Sequence, residues 1–193
     1  MNQPYTQKID TIYKSLVLSL FVGHLERHPE GVLLDVGPVC GDNIALFASL
    51  VKKLYIHDLF RQLSQERLKC SADRSIWQDF CYPMETFDAV QAWDLGDHLD
   101  DRDFASFIEL CALMMKPKGV MMLVAASEAP SPTTLNLYAI EEGLRLQVRP
   151  LSDAAPPFYH RHNRDLIDLM KPFRFVKSYI YQNGTREFLF EHP

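Results

Sequence analysis

The chain has 193 residues, and 20 Lys and Arg against 25 Asp and Glu give a formal net charge of −5 with histidine neutral; with no basic run longer than Lys52-Lys53, nucleic-acid binding through many phosphate contacts is not expected. At 47% hydrophobic and 23% charged residues, the chain can bury one substantial core and little more, so one domain over 1–193 is expected. The longest apolar stretch, Leu16 to Gly23, is far short of the roughly 18 residues that cross a bilayer, Glu26, Arg27 and His28 stand where a secretory cleavage site would lie, and Cys40, Cys70, Cys81 and Cys111 form no CxxC pair, so no membrane span and a cytoplasmic location are expected.

Residues 6–28 carry Ile9, Ile12, Tyr13, Leu16, Leu20 and Leu25 at helical intervals, which predicts an opening amphipathic helix ending before Pro29. Val32 to Val36 is a nearly continuous apolar run, as in a strand buried on both faces of a parallel sheet, and it stops at Gly37-Pro38. Asp42 or Asn43 then caps a helix reaching Val51. A second strand is predicted over Lys53 to Asp58, a helix over Leu59 to Cys70, a short third strand over Ser75 to Phe80 and a fourth over Phe87 to Trp93. Asp101 to Met115 places Phe104, Phe107, Ile108, Cys111, Met114 and Met115 on one helical face, and the turn Lys116-Pro117-Lys118-Gly119 leads into a fifth strand, Val120 to Ala126. Such alternation makes an α/β fold with an open parallel sheet covered on both faces.

The last third breaks the alternation. Tyr138 to Ile140 and Leu144 to Arg149 flank Glu141-Glu142-Gly143 and put Leu144, Leu146 and Val148 on one face, so an extra hairpin is expected near 137–149. Asn163 caps a helix carrying Leu166, Ile167, Leu169 and Met170. Phe175 to Gln182 and Arg186 to Phe190 then flank Asn183-Gly184, a dipeptide that favours a type I′ turn and a terminal antiparallel hairpin.

In an open α/β sheet the ligand crevice lies beyond the carboxyl ends of the strands, which directs attention to Asp35 to Asp42, Asp58, Asp79 and Trp93 to His98. Leu34-Asp35-Val36-Gly37-Pro38-Val39-Cys40-Gly41, Asp58 closing the second strand, Phe87-Asp88-Ala89-Val90-Gln91-Ala92-Trp93-Asp94 and the Lys116 to Gly119 turn together resemble a class I S-adenosylmethionine-dependent methyltransferase. The resemblance covers roughly residues 30–126 and 163–191. It implies a mostly parallel sheet of seven strands with an antiparallel last strand, S-adenosylmethionine as cofactor, and methyl transfer to a small or intermediate acceptor. It divides the domain into an N-terminal helix (1–30), a cofactor-binding half (31–126) and a substrate-side insertion with the C-terminal hairpin (127–193). The cofactor residues it implies are Asp35, Gly37, Gly41, Asp58, Leu59, Asp79, Phe80 and Trp93. Asp58 would accept hydrogen bonds from the ribose hydroxyls, as a two-oxygen carboxylate can, and Asp79 would read the adenine amino group.

Asp94 and His98 lie just past strand four, where such proteins bring donor and acceptor together, and are the candidate catalytic residues, either one able to take a proton from an attacking hydroxyl or amine. Against this, His98 can pack beneath the following helix and Asp97 or Asp100 can cap it, and alignment alone can suffice for methyl transfer. Two rival functions remain open. A dinucleotide-binding protein needs a second glycine where Val39 stands and no Asp35 and Asp42 beside a pyrophosphate. A non-catalytic binding or regulatory module would keep the fold with a degenerate loop, Val39 filling space and resisting positive φ.

Arg145, Gln147 and Arg149 share one face of the hairpin, and Tyr159, His160 and Arg161 follow a Pro-rich stretch, so the acceptor side is expected from 127–162, for an anionic or aromatic small molecule; a solvated strand face is the other reading. The hairpin either lids the crevice or joins two subunits, leaving monomer and homodimer open. The pairs His24/His28 and His160/His162 lack a third ligand at metal spacing, so no metal is expected, and Cys40 reads as a small buried residue rather than a reactive thiol.

Overall fold

The structure, a computed structural model, describes residues 11–68, 77, 80–126, 135–152 and 157–193. The predicted opening helix divides in two. Thr11–Lys14 is a strand, β1, and the helix α1 spans Leu16–Arg27. Ser15 separates them: its extended backbone and its side chain, which accepts the Leu18 N–H at 2.9 Å, start the helix there. The four residues before it pair antiparallel with a distant strand, Thr11 opposite Val148.

The alternating half follows: β2 (Val32–Val36), α2 (Gly41–Leu50), β3 (Lys53–His57), α3 (Leu59–Leu68), β4 (Phe87–Ala92), a 3-10 turn (Asp94–His98), α4 (Asp101–Met114) and β5 (Met115–Ala126). The expected turn at 116–119 lies inside β5 as an irregularity, with Lys118 at φ 68°. Then come β6 (Leu135–Glu141), β7 (Arg145–Ser152), α5 (Asn163–Leu169), β8 (Arg174–Ile180) and β9 (Thr185–Glu191).

Among the described residues the main sheet has six strands, in the order β3-β2-β4-β5-β9-β8. The first four are parallel, and β9 runs antiparallel to both neighbours. The sheet is thus mixed and six-stranded rather than the expected seven-stranded, mostly parallel one, although the last strand is antiparallel as expected. Of the predicted strand at 75–80 only Trp77 and Phe80 are described, and neither is in a strand. Their rings instead pack on Phe107 of α4, at 6.1 and 5.6 Å between centroids, so these aromatics fill a core beside the edge strand β3.

Successive strand residues point to opposite faces, which makes two cores. Leu34, Val36, Val90, Met121 and Leu123 pack with α3, α4 and α5, while Leu33, Ala89, Met122 and Val124 pack with α1, α2 and β6. The predicted hairpin forms as β6 and β7, and β1 adds to it as a three-stranded antiparallel sheet, β1-β7-β6. Glu187 of β9, fully buried, binds β1 and α1 to the main sheet: its carboxylate accepts from Tyr13 Oη (2.9 Å), Ser15 Oγ (2.8 Å), Tyr181 Oη (2.8 Å) and the Val17 N–H (3.3 Å).

The turn at Asn183-Gly184 is not type I′, because Gly184 alone has positive φ (81°) there. Gly184 N–H donates to Tyr181 O and Tyr181 N–H to Thr185 O. That is the three-residue loop closed by a left-handed glycine. No described helix is long and apolar enough to cross a membrane.

Candidate functional site

The carboxyl ends of β2, β3 and β4 lie side by side in the register that pairs Asp35 with Ile56 and Gln91. Asp35 is 3% exposed, and its Oδ1 accepts Trp93 Nε1–H at 2.8 Å. Burial pushes its carboxyl up to about 7, opposed by that bond. The indole reaches Asp35 by crossing Gly37, where a Cβ would stand 2.3 Å from Trp93 Cδ1. Gly37 is therefore required by Trp93 packing. Gly41, the first residue of α2, has nothing within 4 Å of where a Cβ would be. Val39 is 61% exposed and has no positive φ, so its backbone is not strained at this position.

The helix after the loop is capped by neither Asp42 nor Asn43. Cys40 holds the cap position and makes no side-chain cap bond. Asn43 is turned inward, 1% exposed: its Nδ2 donates to Tyr138 O and its Oδ1 accepts the Ile140 N–H, both at 2.8 Å. One amide thus fastens the hairpin over the carboxyl ends of the strands, where a covering element was expected.

At the end of β3, Asp58 Oδ1 accepts the Arg61 N–H at 3.0 Å and so caps α3. Beside it opens a cavity of about 360 Å³ lined by Ile56, His57, Asp58, Arg61 and Gln62. His57 Nε2 and Gln62 Oε1 are buried there without a partner among the described residues. Leu59 and Phe80, 1% and 0% exposed, lie in the adjoining core, Phe80 against the His57 ring at 5.1 Å. Asp79 lies outside the described residues.

Beyond β4 the chain makes its 3-10 turn. Asp94, 2% exposed, accepts through Oδ2 from Tyr138 Oη (3.3 Å) and Asn136 Nδ2 (3.4 Å). Burial raises its carboxyl to about 7 against these bonds. Tyr138 stacks on Trp93, centroids 5.7 Å apart and planes at 6°. Asp97, 1% exposed, does not cap α4; Asp100 does, accepting the Asp103 N–H at 2.8 Å. Asp97 Oδ2 accepts the Ala126 N–H at 2.6 Å, and burial raises this carboxyl too to about 7. His98 is 5% exposed, its Nδ1 against Pro157 O at 3.2 Å and its ring against Phe60 and Phe158. That is the packed arrangement.

Of the arginines expected to draw an anion, Arg161 is committed elsewhere, while Arg145 and Arg149 stay partly exposed beside carboxylates. Arg161 is buried and donates to Gly96 O, Leu99 O and Asp101 Oδ1. Arg145 stands 3.7 Å from Glu141, and Arg149 stands 3.9 Å from both Asp42 and Glu141. Asn163 caps no helix; its Oδ1 accepts from Arg186, which also donates to Arg161 O and Ala126 O. The His24 and His28 rings stack at 4.4 Å, and His160 and His162, in no strand, meet edge to face at 5.3 Å. No group of three or more His, Cys, Asp or Glu among the described residues is placed to hold a metal ion.

The structure thus brings Asp35, Gly37, Trp93 and Asp94 into one contiguous group and sets Asp58 at a cavity. Asn136, and the inward bonds made by Asn43, Tyr138 and Asp97, escaped sequence reasoning. For Asp97 there was a signal: Asp94-Leu95-Gly96-Asp97 spaces two acids by three.

No protein-family description matches the chain, and no curated protein does. Solved structures do. An S-adenosylmethionine-dependent methyltransferase from Clostridium acetobutylicum is 12% identical at TM-score 0.58, over 91% of this chain and 89% of that one. A putative type 11 methyltransferase from Sulfolobus solfataricus is 14% identical at TM-score 0.55, over 91% of each chain. The N-methyltransferase NodS from Bradyrhizobium japonicum in complex with S-adenosylhomocysteine is 15% identical at TM-score 0.55, over 92% of this chain and 86% of that one. With its parallel β3-β2-β4-β5 half, its antiparallel β9 and these neighbours, the chain has the fold of the class I S-adenosylmethionine-dependent methyltransferases.

Proposed function

We propose that the crevice at the carboxyl ends of β2, β3 and β4 binds S-adenosylmethionine and that the protein, working as one domain, transfers its methyl group to a small molecule. The observation that carries this is the cavity of about 360 Å³ at the carboxyl end of β3, lined by Asp58 together with Ile56, His57, Arg61 and Gln62. Asp58 spends one oxygen on the α3 cap and keeps the other for the ribose hydroxyls. Asp79 would take the adenine amino group, and Leu59 and Phe80 back the cavity from the adjoining core. Gly41 leaves the loop backbone open to the amino-acid end, and Gly37 admits the Trp93 indole that reaches Asp35. When bound, the cofactor would supply an electrophilic methyl carbon with a neutral thioether as its leaving group. Asp94 stands ready to accept a proton from the acceptor, since a base titrating near neutrality transfers protons most effectively there.

Calorimetry with S-adenosylmethionine and S-adenosylhomocysteine tests this. The wild type should bind both, and Asp58→Asn, which retains an acceptor for the Arg61 N–H, should bind about 10- to 100-fold more weakly by losing a charge-assisted bond. A wild type indifferent to both ligands refutes the proposal.

A further inference from the structure

A second cavity, of about 530 Å³, opens at the opposite end of the main sheet. Its walls come from where the parallel strands begin: Met84 and Glu85 stand just before β4, Met115 opens β5, Pro172 precedes β8, and His192 follows the antiparallel β9. Glu109 and Leu113, one helical turn apart on α4, close the remaining side. The cavity at Asp58 lies beyond the carboxyl end of β3, so the two are separate sites.

Main-chain bonds hold its walls in place. The Glu85 N–H donates to Leu113 O at 3.2 Å and the Thr86 N–H to Met114 O at 2.8 Å, which hangs the turn before β4 on the end of α4. His192 is fixed by its own N–H on Gly119 O at 2.8 Å and by its ring against Phe173, centroids 5.6 Å apart. A preformed cavity of this volume is in the range of small-molecule sites. Large apolar side chains nevertheless stand in water at its mouth, Met84 71% and Leu113 54% exposed, and covering them with hydrocarbon is favourable.

Charge selects the ligand. Glu85 and Glu109 are exposed and make no ion pair among the described residues. No Lys or Arg lines the cavity among those residues, and the cations next to its walls in the chain are taken: Lys116 by Asp88 at 2.8 Å, Arg174 by Glu191 at 2.8 Å and Lys171 by Asp168 at 3.6 Å. Lys118 acts on Glu191. Apolar walls with two free carboxylates at the rim match a molecule that buries a hydrocarbon body and keeps a cationic head hydrated at the edge. We propose that this cavity is a second ligand site and that it takes a small amphiphilic organic amine, bound as the ammonium ion with its charge toward Glu85 and Glu109 and its hydrocarbon against Met84, Leu113 and Met115. The site is independent of the methyl-transfer reading.

The test is an NMR titration of the isotope-labelled methionine methyls with probes of one shape, phenylbutylamine, phenylbutanol and phenylbutyrate, at about pH 8, where the amine is cationic. The Met84 and Met115 methyls should shift saturably with the amine while Met122, in the core against α1 and α2, holds still. The amine should bind about tenfold more tightly than the carboxylate, with the alcohol between them, and added salt should narrow the gap. Glu85→Gln combined with Glu109→Gln should bring the amine to the alcohol's affinity, and Leu113→Ser should weaken all three probes about threefold or more. All three positions are exposed, so the fold should survive these changes. No shift at Met84 and Met115, a carboxylate bound as well as the amine, or an amine advantage that outlasts the double substitution overturns the proposal. So does sedimentation that finds a dimer which Leu113→Asp dissociates, because a second copy of the chain would then fill the cavity.

Discussion

Asp35→Asn isolates the energetic consequence of burying a carboxyl at the end of β2. Burial alone raises the Asp35 carboxyl from 3.8 to about 7, with Trp93 opposing and no neighbouring charge contributing. Because the folded value is the higher one, the folded state holds the proton more tightly, so stability falls as pH rises between about 4 and about 7 and stays low above that. At 1.36 kcal/mol per unit, moving from about pH 5 to about pH 8 should remove about 3 kcal/mol through this one group. Asn keeps an oxygen for the Trp93 N–H at nearly the same volume and does not titrate. Asp94, Asp97 and Glu187, all raised by burial, and His24, lowered by burial, titrate in both proteins and cancel in the difference. Urea unfolding across this interval should give Asp35→Asn a stability curve flatter by about 3 kcal/mol, crossing above the wild type at the alkaline end. Parallel curves would mean that Asp35 is solvated or otherwise compensated, and the buried-carboxyl reasoning for this crevice would fall with it.

Gly37→Ala should place a methyl where Trp93 Cδ1 already sits, 2.3 Å from the ideal Cβ; denaturant unfolding should show a loss of about 1 to 3 kcal/mol, with a changed Trp93 emission as the indole leaves Asp35. Asn43→Ala removes two buried bonds and strands the Tyr138 carbonyl and the Ile140 N–H, so stability should drop by about 2 to 4 kcal/mol; hydrogen exchange should accelerate at Ile140 but not at Leu34 in the sheet interior, and equal acceleration at both would show that the hairpin is no separate unit.

What could be read from the sequence divides by the range of the forces involved. β2, β3 and β4 were legible to within a residue because strands covered on one or both faces need apolar runs bounded by a turn. β1 was not, since over four residues Ile12 and Tyr13 fit a 3.6 period as well as an alternating one, and the deciding partner, Val148, lies far along the chain. Topology alone placed Asp35, Asp58 and Asp94 at strand ends. What each does there depends on neighbours that no local pattern encodes.

Asn43 shows the difficulty. At the first turn of a helix an asparagine satisfies a free N–H, and here the same amide satisfies two backbone groups of a hairpin 95 and 97 residues away. The arginines fail for a related reason. A guanidinium looks the same in a sequence whether it awaits an anion or is spent, and Arg161 is spent on two carbonyls and Asp101 beneath the 3-10 turn. Those bonds take up its N–H donors without removing its charge: Arg161 and Arg186 both still act on Asp97, so charges of both signs meet beyond β4, and which of them a ligand could reach depends on what folding leaves accessible.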